Sequence, residues 1–386
     1  MEAAKSEVKR VEVIRNLFAQ YYRSRPPIRV TSAEQREFGY FEFSKPVMVR
    51  HLSFRNLEEL LTALARVAPL HAYRSSAYFS YPSAPMEEKG WLGADLVFDI
   101  DADHVDPPCG GHHVLRVCSE HGLLSGGEEV CGSCGAKPIE VDWVCERCIE
   151  GARRELIKLV DVLLGDFGVK EEEVEVNFSG NRGFHVIADS SELRGLDQQG
   201  RREIVQYLTG EGLAPETMGL GPARGRPRRA TVVEAELNAY GWRGRIWRRI
   251  YARLPSGTDE DVGSALARMR PSEIRQLLEE VVREESVKID PVVTSDVHRL
   301  VRLSESLNGK TGLAVRRIPL ERLHDFDPFR EAVAFSPKVK FRVRVLYSPG
   351  FRLRDQEFPE IHGPVVTELP AHASVFLVLK GLAVLV

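Results

Sequence analysis

The chain has 386 residues, 43% hydrophobic and 28% charged, with a net charge of −3 at pH 7. That is enough apolar content for one large core or two smaller ones, and the slight acidity excludes a uniformly basic nucleic-acid coat, so any polyanion has to meet a local patch. All six cysteines lie between Cys109 and Cys148, which excludes a chain-wide disulfide framework.

The first residues run into an amphipathic helix with Val8, Val11, Ile14, Leu17 and Phe18 on its apolar side, a pattern unlike a signal peptide. Extended segments follow around Phe41 to Phe54, then an amphipathic helix near Leu57 to Val67. The run Asp95-Leu-Val-Phe-Asp-Ile-Asp-Ala-Asp103 reads as a strand ending in acid. Residues i and i+2 of a strand share a face, so Asp99 and Asp101 converge while Ile100 turns to the core. Two carboxylates held that close repel unless a divalent cation lies between them, which suits oxygen-ligated Mg²⁺ or Mn²⁺ and phosphoryl or nucleotidyl transfer.

The cysteines then form half-knuckles of two-residue spacing: Cys109-x-x-His112 with His113 adjacent, Cys118-x-x-His121, Cys131-x-x-Cys134 and Cys145-x-x-Cys148. Eight ligands suffice for two tetrahedral Cys₃His zinc ions. Cys118, His121, Cys131 and Cys134 make the inner set. Cys109, with His112 or His113, joins Cys145 and Cys148 in an outer one, for which buried free thiols are the alternative and cross-braced pairing stays open. Either shell would be filled by protein, so both zinc ions would be structural.

A helix is expected from Glu150 to Leu164. Beyond it, Glu173 to Ala188 alternates, turns through Ser179-Gly180-Asn181-Arg182-Gly183, and alternates again, a hairpin carrying Ser179, Arg182 and His185. Glycine lets backbone N–H groups approach an anion, and arginine offers a fork for phosphate. From about 191 to 286 the pattern is mainly helical, as in Pro271 to Arg283. Within it Pro222 to Arg253 holds nine arginines together with Tyr240, Trp242, Trp247 and Tyr251, a mixture suited to phosphate contact with base stacking, to an acidic partner, or to a solvated helix face.

From about 287 strands return. Asp290 ends an apolar run much as Asp99 does and could complete a metal cage, while Arg299, Arg302 and Lys310 surround Ser306, Asn308 and two glycines in a way that suits a triphosphate tail. Val339 to Tyr347 alternates strictly. The apolar tail Val375 to Val386 is interrupted by Lys380 and too short to span a bilayer, so it is a core strand or helix. A cytoplasmic protein without membrane contact is expected.

These residues resemble the small catalytic subunit of the archaeal and eukaryotic DNA primase. The resemblance runs through Tyr21-Tyr22 and Pro26-Pro27, Arg36-Glu37-Phe38-Gly39, Gly90-Trp91-Leu-Gly93-Ala94-Asp95 and Phe98-Asp99-Ile100-Asp101. It continues in Ser179-Gly-x-Arg182-Gly-x-His185, Asp290, Arg299-Leu-Val-Arg302 and Ser306-Leu-x-Gly309-Lys310-Thr-Gly312. It implies a template-directed primer synthase in which Asp99, Asp101 and Asp290 hold two metals and Ser179, Arg182, His185, Arg302 and Lys310 bind the phosphates of a nucleoside triphosphate. Asn308 stands where many relatives have His, and can donate through its amide without carrying charge. The resemblance also implies a structural zinc near the active site and a heterodimer with a large primase subunit bearing an iron–sulfur cluster.

The fold expected is therefore α/β (α+β): a primase-type catalytic domain with a mixed sheet, a helical insertion and a zinc-binding knuckle. Residues 1–190 form its first part, with the zinc insert at about 105–150, 191–286 the insertion, and 287–386 the second part. The function expected is primer synthesis on single-stranded DNA. Two alternatives are a related primase-polymerase used in repair and an inactive zinc-bearing nucleic-acid-binding scaffold. The scaffold would lack at least one carboxylate or phosphate ligand, and none of Asp99, Asp101, Asp290, Arg182, His185 or Lys310 is missing.

Overall fold

Alternation decides the central strand of the computed structural model, which describes residues 2–44, 47–103, 105, 109, 113–124, 128–220, 230–253 and 259–386. In Leu96–Asp101 the side chains of Leu96, Phe98 and Ile100 are buried on one face. The helix Glu146–Gly165 packs against that face, and Leu156, Leu159 and Leu163 join the same apolar cluster. Full burial of each such leucine contributes about 1.5–3 kcal/mol. Val97, Asp99 and Asp101 point the other way.

Leu96–Asp101 is the edge of a four-stranded antiparallel sheet that continues through Gly183–Ala188, Val174–Phe178 and Arg317–Ile318. The middle pair is the hairpin expected around Ser179 to Arg182. A second four-stranded sheet joins Leu300–Arg302, His71–Ser75, Phe38–Phe41 and Met48–Leu52. The two sheets meet through Val97, Ile187, Val293 and Val301, a small apolar cluster of its own. Ile187 pairs with Val97, His185 with Asp99 and Gly183 with Asp101, so the face that starts apolar at this contact becomes polar two residues further on. That change of character positions the site.

A third sheet, of Ile361–Pro370, Lys340–Ser348 and Ala383–Leu385, carries the helix Ala371–Leu379. The apolar tail is thus both helix and strand. Every ladder among the described residues is antiparallel, in several separate sheets rather than one mixed sheet; the Phe178 to Gly183 turn joins one pair directly, while Leu96–Asp101 and Gly183–Ala188 pair across a long stretch of chain. The helices Gln198–Thr209, Ala230–Leu237, Gly241–Arg253, Asp259–Arg268 and Pro271–Glu285 lie between Gly183–Ala188 and Leu300–Arg302 in sequence. Residues of this stretch form a separate apolar cluster around Trp242, Ile246, Trp247, Ile250 and Val281.

This cluster corrects part of the arginine–aromatic reading. Trp247 is 0% exposed, Trp242 is also buried, and their indole N–H groups donate to Met218 and Tyr207 carbonyls. Neither is free to stack on a base. Four of the arginines face carboxylates outside their own helix: Arg243 meets Glu236, Arg245 meets Asp166, Arg249 meets Glu284 at 2.9 Å and Arg253 meets Glu280 at 3.6 Å, while Arg248 donates to the Leu237 carbonyl at 2.9 Å. Tyr240 alone of the four aromatics is strongly exposed, at 90%. Arg224, Arg226, Arg228 and Arg229 lie outside the described residues.

Candidate nucleotide and metal site

Asp99 and Asp101 stand on the polar end of the Leu96–Asp101 face. Asp290 reaches them differently from the strand end expected. It caps the short helix Pro291–Ser295, with Oδ1 accepting from the Val292 N–H at 2.8 Å, while its own N–H donates to the Asp99 carbonyl at 3.0 Å. Pro291 has no N–H to lose at the first helical position, and an aspartate before it is a favoured cap. The three aspartates therefore gather from two remote segments through one backbone hydrogen bond.

Arg182 reaches back across the turn to the acidic strand. Its Nε lies 2.6 Å from Asp101 Oδ1, and its terminal nitrogens lie 2.5 Å from Asp103 and 3.6 Å from Asp142. The Asp101 carboxyl is nonetheless held above its ordinary range. Burial raises it most; Arg182 opposes that, and Asp103 and Asp99 add to it. A half-buried carboxylate crowded by two others is the chemistry a hard divalent cation answers. His185 Nε2 is 3.4 Å from Asp99 Oδ1. Burial first, then Arg302, pulls its pKa down to about 3, so the ring is a neutral donor rather than a cation.

Arg302 contacts His71 Nδ1 at 2.7 Å and lies over the Tyr73 ring. His71 Nδ1 also accepts from the Gly309 N–H at 3.1 Å, which ties the Asn308–Gly312 loop to the second sheet. Its pKa is likewise lowered to about 3 by burial, Arg302 and Lys310. Sequence reasoning missed His71: a lone histidine in a strand carries no spacing signal.

The two loops lock together through Asn308. Its amide donates to the Ser179 carbonyl at 2.9 Å and its oxygen accepts from the Lys310 N–H at 2.9 Å. With 0% exposure it braces the loops rather than facing a ligand. Gly180 makes this possible: its φ is +77°, and a Cβ there would stand 2.7 Å from Asn308 Cβ. Ser179 Oγ accepts from the Gly183 N–H at 3.2 Å and so shapes its own turn. Arg182 and the neutral His185 stand beside Asp101 and Asp99, while Arg302 lies against His71 and Lys310 is an exposed cation on the neighbouring loop.

Among the described residues two Cys/His groups bring ligand atoms within 4.8 Å of one another, and the aspartates are not one of them. The inner group is Cys118, His121, Cys131 and Cys134, as expected. Its Cys118–Cys134 and Cys131–His121 separations of 3.6 and 3.5 Å match the edge of a tetrahedron about 3.8 Å long for thiolates about 2.3 Å from zinc. The Glu120 N–H and then His121 hold the Cys118 thiol down to about 6, which favours the thiolate that zinc binds.

The outer group is Cys109, His113, Cys145 and Cys148, with Cys148 Sγ 3.5 Å from Cys109 and 3.6 Å from Cys145. Of the two histidines left open by spacing, His113 fills the set; His112 lies outside the described residues. His113 begins the strand His113–Cys118, and its buried Nε2 has no hydrogen-bond partner among the described residues. An orphaned imidazole nitrogen beside three thiols fits a metal ligand. Burial and neighbouring thiols push Cys148 up to about 12, so metal uptake there has to displace a proton.

A family model for the DNA primase small subunit matches residues 140–319. Over 367 residues, 95% of each chain, the sequence is 33% identical to the DNA primase small subunit PriS of Nitrosopumilus maritimus. It is 35% identical over 354 residues, 91% of each chain, to PriS of Cenarchaeum symbiosum. With PriS of Aeropyrum pernix it shares 35% identity over 372 residues, 95% of this chain and 91% of that one.

Proposed function

The chain belongs to the DNA primase small-subunit family, and from that premise we propose that it is the catalytic subunit of a primase: a nucleotidyltransferase that makes short primers on single-stranded DNA. What supports the reading is Arg182 beside Asp101 and His185 beside Asp99, with the Asp290 N–H bonded to the Asp99 carbonyl, at the seam of two sheets. In the proposed reaction a 3′-hydroxyl attacks the α-phosphate of a template-paired nucleoside triphosphate and pyrophosphate leaves. Asp99, Asp101 and Asp290 would hold Mg²⁺ or Mn²⁺, which neutralises phosphate charge and lowers the pKa of the attacking hydroxyl.

The chain's own groups do the positioning. Arg182 is engaged by Asp101, Asp103 and Asp142; once Asp101 turns to a cation, its fork is available to phosphate oxygens. His185, neutral and beside Asp99, donates without adding charge. Arg302 and Lys310 supply the remaining cations, and Asn308 and Ser179 hold the loops that present them. The two Cys/His groups are assigned structural zinc.

We propose further that the domain division at 190 and 286 separates an insertion from the catalytic unit, and that the chain pairs with a large primase subunit carrying an iron–sulfur cluster. Among the described residues no helix is long and apolar enough to cross a membrane. Incubating the purified chain with a single-stranded template, nucleotides and Mg²⁺ or Mn²⁺, with and without the large subunit, tests the reading. Template-dependent primers or primer extension support it; template binding without synthesis under any of these conditions would favour the inactive scaffold.

A further inference from the structure

Lys380 follows the last turn of the helix Ala371–Leu379, which packs on the third sheet, some seventy residues past Lys310 in sequence. Its Nζ donates to the Asp142 carbonyl at 3.0 Å and to Asn181 Oδ1 at 3.2 Å. Asn181 is the centre of the turn that carries Ser179 and Arg182. The other loop is equally near. Gly312, at φ +73°, lets the helix pack on the Asn308–Gly312 loop: a Cβ there would stand 2.7 Å from Val375 Cγ1 and 3.4 Å from Leu379 Cδ1, the residue before Lys380. The ammonium is therefore wedged where the two loops meet.

Both of its hydrogen-bond partners are neutral oxygens. Burial and then the charge of Arg182 pull it down to about 8; Asp142 opposes this, Lys310 adds to it, and Asp101 opposes it least. Arg182 is paired with Asp101, Asp103 and Asp142, but the Lys380 ammonium hydrogen-bonds only to neutral oxygens, which leaves it a charge for an anion that enters between the loops. The ladder gives the direction. His185 pairs with Asp99 and Gly183 with Asp101, so Asn181 and Lys380 lie beyond the Asp101 end of the strand, away from Asp99 and Asp290.

We propose that Lys380 is a further phosphate-binding cation of the nucleotide site, contributed by the C-terminal segment and gripping the distal phosphates of the incoming triphosphate. The α-phosphate belongs at the aspartates; the β- and γ-phosphates then extend past Arg182 towards Lys380. This rests on the nucleotide-site reading above. It makes the C-terminal helix part of substrate recognition rather than only part of the core.

The test uses the full chain with Mg²⁺ and measures the affinities of ATP, ADP and AMP for the parent, Lys380→Gln, Lys380→Arg and, as a control, Arg182→Ala. Glutamine keeps a donor to Asn181 and removes the charge. Lys380→Gln should weaken ATP about tenfold or more, the loss of one charge-assisted hydrogen bond, weaken ADP less and leave AMP unchanged. Lys380→Arg should restore ATP binding to within about threefold, since its charge is kept. An equal loss for all three nucleotides would mean that Lys380 only holds the loops, and would overturn the proposal. So would unchanged ATP affinity in Lys380→Gln when Arg182→Ala is weakened. If Arg182→Ala binds ATP like the parent, the nucleotide-site reading itself falls.

Discussion

Replacing one ligand in each Cys/His group should separate two zinc ions that differ in what they hold. The outer set joins Cys109 to Cys148, closing a loop of about 40 residues, and the inner set joins Cys118 to Cys134, closing one of about 17. Treating each ion as a cross-link, the loss of denatured-state entropy corresponds to about 4 kcal/mol for the longer loop and about 3 kcal/mol for the shorter. The consequences should also differ in place. Cys148 is buried in the helix beneath the strand Leu96–Asp101, and an ion in the outer set would anchor the chain just beyond Asp103 and Asp142, two partners of Arg182. The inner set sits on the three-stranded sheet of Gly122–Leu123, His113–Cys118 and Ile139–Trp143, with His121 and Cys134 exposed. The parent should carry two zinc ions by elemental analysis, and Cys148→Ser and Cys131→Ser one each. Denaturant unfolding should show the larger loss for Cys148→Ser, which should also weaken nucleotide binding, while Cys131→Ser spares it. A parent with one zinc would remove one site, and equal effects of the two variants on nucleotide affinity would refute the argument from position.

Arg182→Ala should weaken nucleoside triphosphate binding by about 100-fold, because a fork on two phosphate oxygens is worth about 3 kcal/mol; calorimetric titration against the parent checks it. Trp247→Ala should cost about 3–5 kcal/mol of stability, since the ring is fully enclosed in the helical cluster, and a midpoint shift in urea below that expected for 1 kcal/mol would put the residue at a surface. His71 has its pKa lowered in the fold, so the stability it contributes is complete above its ordinary value near 6.5 and is lost as pH falls from there towards about 3. Unfolding free energy measured at pH 7 and pH 5 should fall more in the parent than in His71→Asn.

What the sequence made legible was periodic. Leu96 to Asp101 and Val174 to Ala188 alternate because one face of each strand is buried and the other lines the seam, so Asp99, Asp101 and His185 were identifiable by position. Metal-ligand spacing was legible for the same reason: two-residue gaps are local geometry. The choice between His112 and His113 was not, since it depends on where a neighbouring strand begins. Arginines 243, 245, 249 and 253 looked available because their carboxylates, Glu236, Asp166, Glu284 and Glu280, come from other helices. Tryptophans among charges look like a stacking surface until a second core claims them. Asn308 read as a donor to substrate, yet its burial is set by Gly180 and Lys310 together. His71 and Lys380 enter the site singly, from a strand and a helix end, and no motif announces either.

The central claim, that Asp99, Asp101 and Asp290 form the centre of a nucleotidyltransferase, is tested most directly by primer extension with the Asp99→Ala and Asp101→Ala variants at saturating Mg²⁺ or Mn²⁺. Each should lose about 10³-fold or more in rate, several kcal/mol of transition-state stabilisation, with zinc content and folding preserved. Near-parental extension by the double variant would contradict the assignment.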